Sequence, residues 1–181
     1  MKPFLVLIIL IISLFSYSCS IDEAEAQLGM KGIAYPDIQL QEANYQISRG
    51  DNNPIFVKGK TIEIYKEINK TYITEASFIQ YNNEKEILLK GNFGRGEIDT
   101  LTNDIELENS VSLTIYPDEL LIQGISLTYF SENKIVKGKE NEVITLTNKK
   151  GDILKGKGFE GNIEKVTFEF SQLEEGVLTY E

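Results

Sequence analysis

The chain of 181 residues has no histidine, no tryptophan and a single cysteine, Cys19. Without histidine, it lacks the most common general base and metal ligand, and every catalytic arrangement that pairs Ser or Cys with His. A single cysteine excludes an intramolecular disulfide and a zinc site built on paired thiolates. These absences weigh against most classes of enzyme, and we predict neither catalysis nor a cofactor.

Positive charge is also scarce, because 18 Lys and Arg residues stand against 28 Asp and Glu, for a net charge of −10. Nucleic acid is therefore not an expected partner, since phosphate binding needs clustered Lys and Arg. The apolar content of 41% and the charged content of 25% are those of a globular protein. The length suits one folded domain with a short appendage.

The N-terminus has the pattern of an export signal. Lys2 precedes an unbroken apolar run over residues 4–12, and Cys19 follows the small residue Ser18 where the apolar character ends. This order resembles a bacterial lipoprotein signal with Cys19 lipidated after cleavage, although Ser16 stands where such signals usually carry an aliphatic residue. An uncleaved anchor helix over residues 4–17 is the alternative, although it is short for a bilayer crossing of roughly 20 residues.

We therefore divide the chain into three parts. Residues 1–18 form a signal peptide or membrane anchor, residues 19–34 a polar and acidic tether, and residues 35–181 a folded domain. In the domain, runs rich in Ile, Val, Thr, Phe and Tyr are separated by turn residues, and no segment has a helical period. The predicted strands are 55–65, 71–81, 87–93, 105–115, 120–130, 134–146, 152–159 and 165–170. The predicted fold class is all-β.

Glycine recurs in the middle of the predicted strands. Gly59, Gly91, Gly124 and Gly156 lie 32, 33 and 32 residues apart. Glycine weakens a strand, so its recurrence indicates a bulge or bend at each position. The apolar alternation also changes parity at Gly124, which would turn the following side chains to the other face unless the strand folds over. We predict long antiparallel strands, each bent into a V and stacked around an apolar interior.

Several segments together resemble LptC, the membrane-tethered periplasmic component of the lipopolysaccharide exporter. Residues 35–38, 42–45, 57–60 and 63–65 resemble its entry strands, residues 127–129 and 135–138 its central hairpins, and residues 149–159 its closing stretch. The resemblance covers about residues 35–181. It implies a bent β-jellyroll, often called a β-taco, which holds acyl chains in its groove and has no catalytic activity.

Apolar residues on the alternating strands are expected to point into the interior. Composition alone does not distinguish a filled core from an open groove, and the resemblance favours the groove. The predicted inward residues are Ile62, Ile64, Phe78, Leu89, Phe93, Ile105, Leu107, Leu113, Ile122, Ile125, Leu127, Val143, Phe159, Phe168 and Phe170, and all of these except Val143 and Phe170 are the candidates for the groove lining.

Three patterns suggest other chemistry but have simpler explanations. Residues 151–157 begin like a phosphate-binding loop, but Gly158 replaces the required Ser or Thr and a β-like sequence follows instead of a helix. Residues 156–161 spell a dinucleotide-binding glycine pattern without the βαβ unit that it requires. Asp104, Glu106 and Glu108 could ligate a divalent cation, but alternating acids are more often the solvated face of an amphipathic strand. We predict no metal site.

Two functions of different classes remain. The first is lipopolysaccharide or related glycolipid transport: by the resemblance, the protein accepts lipid from an inner-membrane ABC transporter and passes it to an LptA-like periplasmic β protein. The predicted location is the bacterial periplasm, with an anchor in the inner membrane. The second is a lipoprotein β-sandwich that binds proteins or glycans through its outer surface.

The nature of the anchor is testable with Cys19→Ala. If Cys19 carries lipid, the variant accumulates as unprocessed precursor and loses metabolic labelling by a palmitate analogue. Gel mobility and label incorporation measure the two effects. A wild-type protein that takes up no label and migrates like the variant would establish the uncleaved anchor instead.

Overall fold

The computed structural model describes residues 35–48 and 53–179, which form ten β-strands. Their bounds are β1 Ile38–Ile47, β2 Ile55–Tyr65, β3 Lys70–Tyr81, β4 Ile87–Asp99, β5 Ile105–Ile115, β6 Leu120–Phe130, β7 Ile135–Lys137, β8 Ile144–Thr147, β9 Ile153–Asn162 and β10 Thr167–Val177. Within these residues no helix has the length and hydrophobicity needed to cross a bilayer. The predicted signal segment, the tether and Cys19 lie outside the described residues.

All strand pairs are antiparallel and belong to one sheet. β1 to β6 follow one another in sequence order. β7 and β8 then lie end to end, since each pairs with a different half of β6 and of β9, and β10 closes the order at the far edge. Among the described residues, the sheet thus has two edges without a further strand, β1 and β10.

Asn and Asp side chains make the tight connections between neighbouring strands. The Asn82 side-chain oxygen accepts hydrogen bonds from the backbone N–H groups of Glu84 and Glu86, at 2.9 and 2.8 Å. Asn148 accepts similarly from Lys150 and Asp152. Such side chains imitate a backbone turn, so they favour a hairpin where the apolar alternation pauses. These connections place consecutive strands side by side.

Each long strand leaves one or two residues near its middle out of the ladder, while pairing continues on both sides. These residues lie opposite one another from strand to strand, and we call them the corner row. Its members are Glu42, Lys60, Glu75, Gly94, Asn109, Ser110, Ile125, Gly158 and Ser171.

The alternation of buried residues changes parity at the corner row. In β2, Val57 and Gly59 are buried before it and Ile62 after it. In β6, Ile122 is buried before it and Leu127 after it. Because side chains alternate between the two faces, this change lets both halves of a strand point into the same interior. Each strand thus bends into a V, as predicted.

The bends divide the sheet into two arms. The first arm contains β8 and residues 43–47, 55–59, 76–81, 87–93, 111–115, 120–124, 153–157 and 172–177. The second arm contains β7 and residues 38–41, 61–65, 70–74, 95–99, 105–108, 126–130, 159–162 and 167–170. Side chains from both arms form a single hydrophobic core.

The recurring glycines are not the bend residues, so that prediction was wrong in its detail. Gly59, Gly91, Gly124 and Gly156 are paired within the ladder. At the corner row, left-handed backbone angles occur instead at non-glycine residues such as Glu42, with φ of 47°, as well as at Gly158. The four predicted positions require glycine because there is no room for a Cβ. A side-chain or backbone atom from elsewhere in the chain already lies where a Cβ would be.

Most predicted strands agree with the structure, and three differ, while β1 was not among the predicted strands. The predicted strand 165–170 corresponds to β10, which continues to Val177. The prediction ended one strand at Phe93, but β4 continues to Asp99 because its ladder with β3 outweighs the low β-propensity of Gly94 and Gly96. The predicted strand 134–146 is interrupted between β7 and β8. There the chain rounds the corner through a connection that begins at Gly138, instead of continuing in the ladder.

The glycine interpretation is testable at Gly91. A Cβ at this position would collide with the backbone oxygen of Ser112 and lie 2.6 Å from Phe78 Cζ. We expect Gly91→Ala to destabilise the protein by about 1–3 kcal/mol through overpacking. Thermal unfolding followed by circular dichroism measures this loss.

Gly176 supplies the control, because the nearest atom to a Cβ there is Leu154 Cδ2, at 3.4 Å. Gly176→Ala is expected to stay within about 0.5 kcal/mol of wild type. Equal melting temperatures for the two variants would contradict the close approach at Gly91.

Candidate functional site

The two arms enclose an apolar cavity. Val57 and Phe78 of the first arm face Ile73 and Leu107 of the second across it. These side chains point inward because the parity change at the corner row directs both halves of each strand to the interior. The complete lining is Ile47, Ile55, Val57, Ile73, Phe78, Gln80, Leu89, Phe93, Gly96, Ile98, Ile105, Leu107, Leu113, Leu127, Tyr129, Val136 and Ile163.

This first cavity is narrow. The volume of the cavity, counted as the space that the centre of a water molecule can occupy, is about 60 Å³. On the same definition a single bound water needs about 10–15 Å³. Gln80 is the one amide in the lining, and no charged side chain takes part. The cavity therefore offers dispersion contacts and hydrophobic burial, and it suits apolar chains.

A second cavity lies at the β10 end of the sheet, mostly apolar but with Asn148, Asp152 and Glu169 in its lining. Leu146 and Leu154 of the first arm face Phe168 and Phe170 of the second, with Leu120 beside them. By the same measure this cavity holds about 470 Å³. Leu173, which is 57% exposed, stands at its solvent side.

The structure brings together most of the predicted interior residues. Those that line the first cavity are Phe78, Leu89, Phe93, Ile105, Leu107, Leu113 and Leu127. Ile62, Ile122 and Phe159 are buried elsewhere in the core, and Ile64, Phe168 and Phe170 are partly buried against it. Phe168 and Phe170 line the second cavity.

Ile125 and Val143 do not belong to the interior. Ile125 is 64% exposed because it is the corner residue of β6, so inward alternation on the second arm starts at Leu127 instead. Val143 is exposed on the connection between β7 and β8. Ile125 was placed inside because it shares the odd-numbered alternation of Leu127 and Tyr129, and in the structure the inward residues of that alternation begin only after the corner.

The sequence interpretation missed several cavity residues. Val57, Ile73, Ile98 and Val136 line the first cavity. Their strands alternate in the same way as those of the identified residues, so this signal was present. The choice among alternating residues depends on which of them face each other across the arms, and local periodicity does not specify that.

The acidic strand face is engaged in ion pairs and hydrogen bonds. Lys139 Nζ lies 2.9 Å from Glu108 Oε1 and 3.7 Å from Glu106 Oε1. The hydrogen bond and charge of Lys139 hold the pKa of Glu108 below its ordinary value. Asp104 accepts a hydrogen bond from the Ser131 backbone N–H at 2.8 Å. These contacts fasten neighbouring segments to the second arm.

Residues 151–157 take no part in a nucleotide-binding arrangement. Gly151 lies in the turn between β8 and β9, and Ile153 begins β9. The next element is β10, which pairs antiparallel with β9. A helix N-terminus that could bind phosphate is therefore missing from the segment that follows.

Comparison with known proteins places this fold among lipopolysaccharide-assembly proteins. Residues 4–178 match the family described as "Lipopolysaccharide-assembly, LptC-related". No curated protein matches the sequence. The fold is similar to the crystal structure of LptH from Pseudomonas aeruginosa, described as the LptA homologous periplasmic component of the conserved lipopolysaccharide transport device. The TM-score is 0.53 at 10% identity, over 66% of this chain and 83% of LptH. This similarity confirms the predicted β-jellyroll.

Acid is expected to weaken the hydrogen bonds of Asp152, which lies at the rim of the second cavity. Asp152 accepts hydrogen bonds from the Thr179 N–H at 2.6 Å and from Asn148 Nδ2 at 2.7 Å, and these donors lower its pKa below the ordinary value of 3.8. Since the folded-state pKa is depressed, the stabilisation is present above the ordinary value and is lost as the pH falls through the lowered one. We expect Asp152→Ala to melt below wild type at neutral pH, with a difference that shrinks toward about pH 3.

Thermal unfolding of the full chain at several pH values measures this difference. Asp118→Ala, in the exposed turn between β5 and β6, controls for the loss of a carboxylate. A difference between wild type and Asp152→Ala that stays constant down to pH 3 would show that these hydrogen bonds do not favour the ionised form of Asp152 in the folded protein.

Proposed function

Since the chain belongs to the LptC-related family of lipopolysaccharide-assembly proteins, we propose that it carries lipopolysaccharide or a related glycolipid across the bacterial periplasm. The observation that carries this proposal is the apolar first cavity between the arms. Its lining contains aliphatic and aromatic side chains from both arms and no charged group. Such a surface recognises acyl chains and leaves the polar part of a glycolipid in water.

Transport in this proposal is partition between apolar surfaces. Each CH₂ group removed from water contributes about 0.8 kcal/mol, so a chain that leaves one apolar groove for another loses little free energy. Because the first cavity is narrow, an entering chain must separate the arms. The cavity itself sets no direction, and ATP hydrolysis in an inner-membrane ABC transporter supplies it.

The free edges of the sheet suit partners of the same architecture. β10 is exposed over most of its length, and Leu173 and Val177 present apolar side chains there. An unpaired strand edge accepts another strand through main-chain hydrogen bonds. In our proposal an LptA-like periplasmic protein docks at β10 and continues the apolar surface, while the transporter lies on the membrane side.

The N-terminal segment fits this arrangement. Lipidated Cys19, or an uncleaved helix over residues 4–17, would hold the domain of residues 35–181 at the inner membrane. The tether of residues 19–34 would give the domain freedom to reach both partners. In this role the protein is not an enzyme.

The proposal is tested by site-specific photo-crosslinking at Leu107. Leu107 lines the first cavity, whereas the adjacent Glu106 carries an ion pair with Lys139 on the outer face. A small diazirine-bearing aliphatic side chain at Leu107 of the full-length protein should capture tritiated lipid A after irradiation. The same side chain at Glu106 should capture little, because successive strand residues point to opposite faces.

The result separates the proposal from its alternative. Capture at Glu106 but not at Leu107 would favour ligand binding on the outer surface, as in a glycan-binding lipoprotein. Absence of label at both positions, in a protein with wild-type circular dichroism, would refute lipid binding between the arms.

A further inference from the structure

The apolar interior is not continuous. The first cavity is lined by β2 to β7, together with Ile47 of β1 and Ile163. The second is lined by residues of β6, β8, β9 and β10 and of their flanking loops. The two linings share no residue, although both lie between the same arms. Something therefore fills the interior where β6, β8 and β9 meet.

Ile122, Ile144 and Phe159 fill this position, and we call them the plug. Ile122 and Ile144 are 0% exposed and Phe159 is 1% exposed, yet none of them lines either cavity. The Phe159 ring lies 6.1 Å from the Phe168 ring and 5.4 Å from the Phe170 ring, which are walls of the second cavity. β9 pairs with β10 on one side and with β7, which carries Val136 of the first cavity, on the other, so Phe159 lies between the two linings.

Two glycines make room for the plug. A Cβ at Gly138 would lie 2.8 Å from Ile144 Cγ1 and 3.5 Å from Phe159 Cβ, so both side chains meet over this glycine. A Cβ at Gly124 would collide with Ile144 Cδ1. Ile144 therefore packs directly on the backbone of β6 and of the connection after β7. A residue with a Cβ at Gly124 or Gly138 would keep its side chain farther from that backbone.

The connection between β7 and β8 holds Ile144 in place. The Glu142 carboxylate accepts hydrogen bonds from the backbone N–H and the hydroxyl of Ser126, at 3.0 and 2.7 Å, and Ser126 is buried. Lys139 on the same connection pairs with Glu108. β8 itself has only four residues, so few ladder bonds oppose its movement.

We infer that the plug divides the interior into two acyl-chain compartments, and that a chain passes from the first to the second only when the plug side chains withdraw. This inference rests on the proposed function. A chain in transit must displace three fully packed side chains, so its movement through the protein occurs in two steps. Once the plug closes behind it, the chain does not slide back.

A tethered acyl chain tests the division directly. In the full-length protein with Cys19→Ala, Leu173→Cys places a thiol at the second cavity, and an octadecyl maleimide attached there delivers one chain from a known end. A diazirine side chain at Leu154 reports the second cavity, and one at Leu113 reports the first. Leu113 lies four strands from β10, roughly 20 Å away, which an octadecyl chain can span.

With the plug intact, we expect the yield of crosslinked product at Leu154 to be at least about tenfold higher than the yield at Leu113. Ile144→Ala should raise the Leu113 signal about tenfold. Ile62→Ala is the matched control, because Ile62 is also 0% exposed but lies away from the plug, and it should leave the ratio unchanged. Circular dichroism confirms folding, and Ile144→Val replaces the alanine variant if that variant does not fold.

Equal crosslinking at Leu113 and Leu154 with the plug intact would overturn the inference. So would an unchanged ratio in a folded Ile144 variant, or a chain that reaches neither position. Because the chain is attached covalently, these outcomes do not depend on whether free lipid A is captured at Leu107. Failure of the division and failure of the proposed function are therefore distinguishable.

Discussion

The structure depends on the corner row, at which the long strands leave one or two residues unpaired and shift their alternation. In a strand that continues straight, successive side chains alternate strictly between two faces, so a shift of one residue would expose half of the apolar set. Here the shift coincides with the bend. Both arms consequently present apolar side chains to one interior, and one sheet forms both walls of the core.

The bend also explains how an apolar interior persists along the whole sheet without a closed barrel. Each added strand extends both arms by one step and leaves its outer edge ready for another strand. The two outer edges, β1 and β10, are therefore the natural ends of the interior. Seven of the described lysines form ion pairs with acidic side chains that are at least partly exposed, as Lys139 does with Glu108, so these charged groups stay in contact with water.

The interior combines close packing with space for an apolar ligand. The first cavity is narrow, whereas the second is wider and meets solvent beside Leu173. The plug separates the two cavities. Ile144, the first residue of β8 after the interruption that follows β7, packs there with Ile122 and Phe159. A lipid carrier with this interior would hold its cargo by hydrophobic burial and release it through local movement of a short strand.

The sequence by itself determined the all-β class, most strand bounds and most of the apolar residues inside, since β-branched and aromatic alternation and Asn-containing turns are local signals. Leu107 and Leu113 were recognisable from alternation alone. The tertiary structure decided the position of the corner, the exposure of Ile125, the break between β7 and β8 and the separation of the two cavities. These features depend on which residues of distant strands meet, and a local pattern has the same form on either side of a bend.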